Sequence, residues 1–135
     1  MYIQVNVLAI LVCSLVNLAI GIVWYSPWLL GRRWSRLAHT RIESPLSRDQ
    51  IVLYIGSYFA GLVLAAILAL VISVSGVLTI GDGVILGAVV WIGFTAAPSF
   101  ASTIFEGKSF ELWGINVAYP LASTLVMSVI LMVWR

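Results

Sequence analysis

Four long runs of apolar residues dominate the chain, at about residues 3–24, 51–74, 84–104 and 112–134, and short polar segments separate them. A run of about 21 residues, at ~1.5 Å rise per residue, is long enough to cross the ~30 Å hydrocarbon core of a bilayer. None of the four has a charged residue or a histidine in its interior. The pattern predicts an all-α fold, an integral membrane four-helix bundle that forms one transmembrane domain over residues 1–135.

The segment between the first two runs has a helical pattern of its own. Leu30, Trp34 and Leu37 fall on one face of a helix, and the opposite face carries basic residues. This pattern is typical of a short amphipathic helix on the membrane surface, which we place at about residues 29–42. The basic residues that we expect to contact anionic lipid headgroups are Arg32, Arg33 and Arg36.

Capping and turn residues predict where the other helices begin and end. Ser44-Pro45 should end the surface helix, and Ser47 has N-cap spacing to Gln50, so the second span should begin near residue 48. Gly81-Asp82-Gly83 reads as a tight turn, and the third connection, Glu106 to Ser109, is as short. Both short connections predict that the helices they join are antiparallel neighbours.

Composition and charge placement then suggest an orientation. Hydrophobic residues make up 62% of the chain and charged residues 9%, against about 25% charged in a soluble domain. Five of the seven basic residues lie between residues 32 and 48, so the positive-inside rule places that segment in the cytoplasm and the N-terminus outside. No basic residue precedes Ile3, which favours an uncleaved anchor over a signal peptide. No basic polar domain that could bind nucleic acid is present.

Small and weakly polar residues form stripes along the predicted spans. Such stripes commonly pack helices together in lipid, where small residues allow close approach and polar side chains bond between helices. The other interpretation is a small polar cavity in the centre of the bundle. Its lining would be Asn17, Thr95, Asn116 and Tyr119.

Two short motifs carry a family resemblance. Gly21-x-x-Trp24-Tyr25-Ser26-Pro27, followed by Gly31 and Trp34, resembles the first signature of the bacterial domain-of-unknown-function family numbered 1761. The later run, with Trp91, Gly93, Phe105-Glu106-Gly107, Trp113, Asn116 and Tyr119, is similar to its second signature. The resemblance implies a small four-span bacterial membrane protein and implies no activity. We expect the protein to lie in the bacterial inner membrane. The partial likeness of the two runs also suggests a repeat of two helical hairpins.

Residues of both runs should meet at the cytoplasmic boundary, where we expect an inner-rim motif. Glu106 follows the third span, so it would either be a solvated carboxylate paired with Lys108 or an arginine, or form a buried ion pair with an arginine of the first connection. The rim motif consists of Trp24, Tyr25, Pro27, Glu106 and Lys108.

Catalytic chemistry finds little support in these residues. His39 is the only histidine, Cys13 the only cysteine, and neither a metal-ligand set nor a phosphate loop is visible. We therefore expect no enzyme, no metal and no cofactor. Two functions remain open: a non-catalytic membrane module that self-associates or supports a partner, and a small permease or channel for a neutral or weakly polar solute.

Overall fold

The computed structural model describes residues 2–41 and 46–135, and this part of the chain is folded into α-helices joined by short connections. Four helical stretches within it are long and apolar enough to cross a membrane, which confirms the predicted all-α, multi-pass membrane fold. The third of these, Ile80–Glu106, consists of α4, a π-helical turn and α5 without a break. The elements are α1 (Val7–Trp24), α2 (Gly31–Ala38), α3 (Arg48–Ser75), α4 (Ile80–Trp91), the π-turn (Ile92–Ala96), α5 (Ala97–Glu106) and α6 (Phe110–Val133).

Side-chain caps set the starts of the spans. The Asn6 side chain accepts from the Ala9 N–H at 3.2 Å, so α1 begins four residues after the predicted Ile3. Ser47 accepts from the Gln50 N–H at 3.2 Å, and α3 begins at Arg48, as predicted. Such caps satisfy amide groups that have no partner inside the helix, so their residues locate a helix start.

The turn predicted at Gly81-Asp82-Gly83 is wrong, because these residues lie inside α4. Thr79 is the N-cap: its hydroxyl accepts from the Asp82 N–H at 3.1 Å and donates to the Asp82 carboxylate at 2.7 Å. The chain reverses earlier, at Gly76, whose φ of 67° is in the left-handed region that favours glycine. A capping interaction thus takes the residues that a glycine-based turn would have used.

Helix packing does not follow the order of the chain. α1 packs extensively on both α3 and α6, and α6 also packs on α4, whereas α3 and α4 make little contact. The prediction that the second and third spans are neighbours is therefore wrong, while the third and fourth spans do pack together. The reason is that the small-residue face of α3, at Gly61 and Ala65, is turned toward α1. The repeat of two helical hairpins stays a prediction. The proline of its first run, Pro27, follows α1, whereas the proline of its second run, Pro98, lies within the third span.

Small side chains form the centre of the bundle. Ala9 and Cys13 of α1 and Ala65 of α3 are fully buried, and they pack with Leu68 and Met127. In lipid no hydrophobic effect draws helices together, so close approach over small residues supplies the packing. Cys13 thus occupies a packing position, in which a free cysteine serves as a small apolar residue.

The surface helix is shorter than predicted. α2 ends at Ala38, and His39 follows it with a left-handed φ of 53°. Trp34 and Leu37 are partly buried while the three arginines of its other face are exposed, which is the amphipathic arrangement that the pattern predicts. The predicted stop at Ser44-Pro45 lies outside the described residues.

Candidate functional site

One face of α1 joins the two sequence motifs by contacting α6. The Trp24 indole N–H donates to the Ile115 carbonyl at 2.9 Å, and the Tyr25 hydroxyl donates to the Asn116 side-chain oxygen at 3.0 Å. One turn earlier, a Cβ added at Gly21 would lie 3.1 Å from the Tyr119 hydroxyl oxygen, so the glycine allows this close contact. Residues of the first motif therefore contact residues of the second through hydrogen bonds and close packing.

A tight turn after α1 fixes the position of Tyr25. The Gly31 N–H donates to the Ser26 carbonyl at 2.9 Å, and a Cβ at Gly31 would lie only 2.2 Å from the Tyr25 carbonyl oxygen. The turn, in which Pro27 is exposed, brings Trp34 edge-on to the Tyr25 ring at 5.4 Å. Burial, and secondarily the neighbouring Tyr119, raises the pKa of Tyr25 to about 12, so its hydroxyl keeps the proton that it donates.

Asn17 lies at the centre of a hydrogen-bond network between three helices. Its side-chain oxygen accepts from the Tyr119 hydroxyl at 3.0 Å and from the Ser123 hydroxyl at 2.6 Å, and its amide donates to the Ser57 carbonyl at 3.4 Å. Ser14, one turn before it, donates to the Tyr58 carbonyl at 2.5 Å. We call Ser14, Asn17, Tyr119 and Ser123 the Asn17 network.

The Asn17 network is closed. Ser14 and Ser123 are fully buried and Asn17 is 6% exposed, while Tyr119 at the edge of the network is partly buried. Over residues 2–41 and 46–135, no buried side-chain nitrogen or oxygen lacks a hydrogen-bond partner. Polar groups in a membrane interior are costly unless they are bonded, so this network stabilises the contact of α1 with α3 and α6.

Thr95 and Asn116, the other two residues of the predicted central cavity, lie elsewhere. They line a cleft of about 240 Å³ between the second half of the third span and α6. The structure therefore places the four predicted residues in two regions, and Tyr25 joins these regions by bonding Asn116 while its ring contacts Tyr119. We call this space the α5–α6 cleft, and its polar and aromatic lining is Thr95, Ser99, Ser102, Thr103, Glu106, Lys108, Trp113 and Asn116.

The cleft begins where the third span changes its helical geometry. Up to Trp91 the span packs closely on α6, and the Trp91 indole donates to the Val117 carbonyl at 3.0 Å. The π-turn Ile92–Ala96 follows, and then Pro98, which has no N–H to donate to the preceding turn. π-turns and prolines are common causes of changes in helix direction, and π-turns are frequent at functional sites.

Three of the hydroxyl groups that line the cleft bond to their own helix. Ser99 donates to the Ala96 carbonyl at 3.0 Å, Ser102 to the Pro98 carbonyl at 3.2 Å, and Thr103 to the Ser99 carbonyl at 2.8 Å. The Trp113 indole donates to the Ser99 hydroxyl oxygen at 3.0 Å, which is the side-chain bond across the cleft.

Two ion pairs between described residues lie at the end of the bundle that carries α2, which we call the basic end. Glu106 pairs with Lys108 at 2.6 Å, and these side chains are 52% and 57% exposed. Glu106 therefore has the solvated arrangement, and not a buried pair with an arginine. It is Glu111 of α6 that meets an arginine of the first connection, Arg33. Arg32 and Arg36 are exposed at the same end.

The sequence interpretation did not assign several residues of these two regions to the predicted cavity, although it names Trp113 in the second motif. Ser14 lies three residues before Asn17, and Ser123 lies four after Tyr119. In the cleft, a spacing of three or four residues likewise relates Ser99 and Trp113 to the predicted residues Thr95 and Asn116. Helical spacing from the predicted residues is thus the signal that could have identified them. In the cleft, Ser99 lies four residues after Thr95, and Trp113 lies three before Asn116.

The side chains of these regions suit binding and packing. Within the described part of the chain, no group of three or more His, Cys, Asp or Glu could hold a metal ion.

A family model described as a protein of unknown function (DUF1761) matches residues 8–132. Comparison with curated proteins and with solved structures found no match.

Proposed function

The chain belongs to the DUF1761 family of proteins of unknown function, and we propose that it is a non-catalytic membrane module. In this proposal it is a rigid four-span bundle of the bacterial inner membrane that self-associates or supports a partner. The closed Asn17 network is the observation that carries the proposal. A small permease, the alternative function, needs a polar path through the centre of the bundle, and that centre is filled by bonded side chains.

The third span supplies a surface for such an association. Over most of its length it packs on one neighbour, α6, and its outward side chains remain exposed. Several of these are large and apolar, and the lipid or another protein's helix would cover them equally well by hydrophobicity alone. The exposed apolar residues of this face include Ile85, Val89, Ile92 and Phe94.

The basic end supplies the contact with the membrane surface. The exposed arginines of α2 lie opposite its partly buried Trp34 and Leu37, which suits a helix that rests on anionic headgroups. By the positive-inside rule we place this end in the cytoplasm and both termini outside. A C-terminal reporter that is active only in the cytoplasm should therefore be inactive, and an active one would contradict this orientation.

The native thiol of Cys13 tests whether the centre is closed. Cys13 is fully buried one turn before Asn17, so a water-soluble thiol reagent should label it only after the bundle is unfolded in SDS. A Cys13→Ser/Ser75→Cys variant is the matched control, since Ser75 is exposed at the end of α3 and should react in the folded protein. Rapid labelling of Cys13 in folded protein would favour the permease. The oligomeric state in nanodiscs, measured by cross-linking, then tests self-association.

Replacing the three α2 arginines tests the lipid contact. Arg32, Arg33 and Arg36 changed together to Gln should weaken association of the protein with anionic lipid, at about 1 kcal/mol per basic residue near the surface. The measurement is the enrichment of anionic over zwitterionic lipid around the protein in mixed vesicles. A matched triple change to Lys should preserve it, and unchanged enrichment in the Gln variant would disprove the electrostatic contact.

A further inference from the structure

The hydroxyl groups of the α5–α6 cleft present acceptor atoms to its interior. A serine or threonine hydroxyl has one proton to donate and two lone pairs that accept. Ser99, Ser102 and Thr103 all donate their protons to carbonyls of their own helix. Their oxygen lone pairs, apart from the one that Ser99 uses for Trp113, remain available to a ligand that donates hydrogen bonds.

The charged end of the cleft already shows which donor it accepts. The Glu106 carboxylate holds the primary ammonium group of Lys108 at 2.6 Å, and both residues line the cleft. Because this pair is more than half exposed, Lys108 can exchange with a second ammonium group at little cost. The carboxylate and the hydroxyl oxygens follow one another along α5, so a chain of acceptors leads from the rim into the cleft.

Two further groups in the lining suit the same ligand. Trp113 lines the cleft beside Ser99 and packs edge-to-face with Phe100 at 5.3 Å, and an indole face attracts a cation. Asn116 uses its side-chain oxygen to accept from Tyr25, and among the described residues its amide nitrogen has no partner. That free donor suits an oxygen atom carried by the ligand a few bonds from its ammonium group.

We propose that the α5–α6 cleft binds a primary ammonium group, with Glu106 as the charged acceptor and Ser99, Ser102 and Thr103 as neutral acceptors. The cleft volume of about 240 Å³ is below that of the ~300–1,000 Å³ pockets that hold drug-sized ligands, so the ligand portion inside it is small. The ethanolamine headgroup of a phospholipid and a soluble amino alcohol both have this chemistry. The cleft lies apart from the Asn17 network, so the proposal holds whether or not the bundle is a non-catalytic module.

Competition between two lipids tests the phospholipid source. Protein in nanodiscs that contain equal amounts of phosphatidylethanolamine and phosphatidylcholine, with identical acyl chains, is released and its retained lipids are counted by native mass spectrometry. The choline headgroup has no N–H donor, so we expect about tenfold preference for phosphatidylethanolamine. Glu106→Gln should remove most of this preference. Glu111→Gln, which changes a carboxylate at the same end but outside the cleft lining, should retain it.

A second variant makes the result independent of the ion pair. Ser102→Ala removes an exposed hydroxyl of the cleft, and Ser75→Ala removes a matched exposed hydroxyl that donates to its own helix at the opposite end of the bundle. The first should lower the preference for phosphatidylethanolamine about two- to threefold, and the second should leave it unchanged.

Ethanolamine added to protein in phosphatidylcholine nanodiscs tests the soluble source. The NMR signal of the Trp113 indole N–H, identified by its absence in Trp113→Phe, should shift to saturation, while the Trp134 indole signal stays in place. The same titration on Glu106→Gln should give no saturable shift. Lipid preference without this shift assigns the site to the phospholipid, and the shift without lipid preference assigns it to a soluble amine. If neither appears, or if Glu106→Gln leaves both unchanged, the proposal is wrong.

Discussion

The Asn17 network and the α5–α6 cleft contain the same types of polar side chain, and they use them in opposite ways. In the network, hydroxyls and an amide donate to other helices: Ser14 and Asn17 of α1 to α3, and Tyr119 and Ser123 of α6 to α1. In the cleft, the hydroxyls donate back to α5 itself. Hydrogen bonds between helices close the first region. In the second, these hydroxyl protons stay within the helix, and the Trp113–Ser99 bond crosses the cleft without filling it.

The difference shows that a polar stripe on a membrane helix does not by itself indicate whether a second helix covers it. A serine can satisfy its proton on its own backbone at the i−4 carbonyl, as Ser102 does on Pro98, and then it needs no neighbour. Asparagine has donors and an acceptor that its own helix does not satisfy in this way, and Asn17 takes its partners from two other helices. Asn116 nevertheless lines the open cleft, and Ser14 and Ser123 lie in the packed network, so the type of polar side chain does not by itself identify the packed seam.

Replacement of Asn17 should have the largest effect on stability. Asn17→Leu removes side-chain bonds to both α3 and α6 and leaves the Ser123 hydroxyl without its acceptor. The Tyr119 hydroxyl keeps the backbone carbonyl of residue 17, at 3.1 Å, as an acceptor. We expect the free energy of unfolding to fall by about 2–4 kcal/mol, from ~0.6–1.7 kcal/mol per hydrogen bond between helices. SDS titration in mixed micelles, followed by circular dichroism, measures this fall.

The control for Asn17→Leu is a polar residue of the cleft. Thr95→Val conserves side-chain shape, and among the described residues Thr95 makes no hydrogen bond to another helix that would be lost. It should change the free energy of unfolding by less than about 0.5 kcal/mol. Equal losses in the two variants would mean that the cleft contributes as much to packing as the network does.

Two glycines of α3 sharpen the same comparison between packed and open positions. A Cβ at Gly61 would lie 2.7 Å from the Asn17 amide nitrogen and 3.1 Å from the Ser14 hydroxyl, whereas a Cβ at Gly56 would meet nothing within 4 Å. Gly61→Ala should cost about 1–3 kcal/mol of unfolding free energy through overpacking of the network. Gly56→Ala should be neutral or stabilising by up to about 1 kcal/mol, because alanine is the better helix former. The same SDS titration applies, and a neutral Gly61→Ala would show that α1 and α3 can separate without loss.

Much of this fold follows from local patterns in the sequence. The lengths of the apolar runs, the Ser47 cap and the two faces of α2 depend on residues within a few positions of one another, and the structure confirms them. The turn at Gly81-Asp82-Gly83 was predicted wrongly although its signal is also local, because Thr79 and Asp82 form a cap that outweighs the two glycines.

The division of the predicted polar cavity could not be obtained in this way. Thr95 and Asn116 have the same helical spacing to their neighbours as residues that are packed. The π-turn at Ile92–Ala96 separates the third span into a half that packs on α6 and a half that borders the cleft. A π-turn adds one residue to a helical turn, and its only sequence signal here is the nearby Pro98. A prediction that assumes regular helical periodicity therefore continues the polar stripe through the π-turn on the same face.

A small effect on stability is also expected at the rim of the cleft. Glu106→Gln and Glu111→Gln each remove one ion pair at the basic end, and the four side chains of the two pairs are between 44% and 61% exposed. Exposed pairs contribute ~0–1 kcal/mol, since water solvates the separated charges well and salt screens their attraction. Each variant should therefore unfold within about 1 kcal/mol of the parent, at both low and high salt.

Glu106→Gln would then distinguish a structural role from a binding role for the same residue. A buried pair that holds two spans together should lose ~3–5 kcal/mol when one partner is removed, and such a loss would contradict the exposed geometry of Glu106 and Lys108. A small loss, combined with a lost preference for the ethanolamine headgroup, would show that the carboxylate serves ligand binding. The packed seam would then hold the helices together through Asn17, while the open cleft keeps its charge available because the fold does not depend on it.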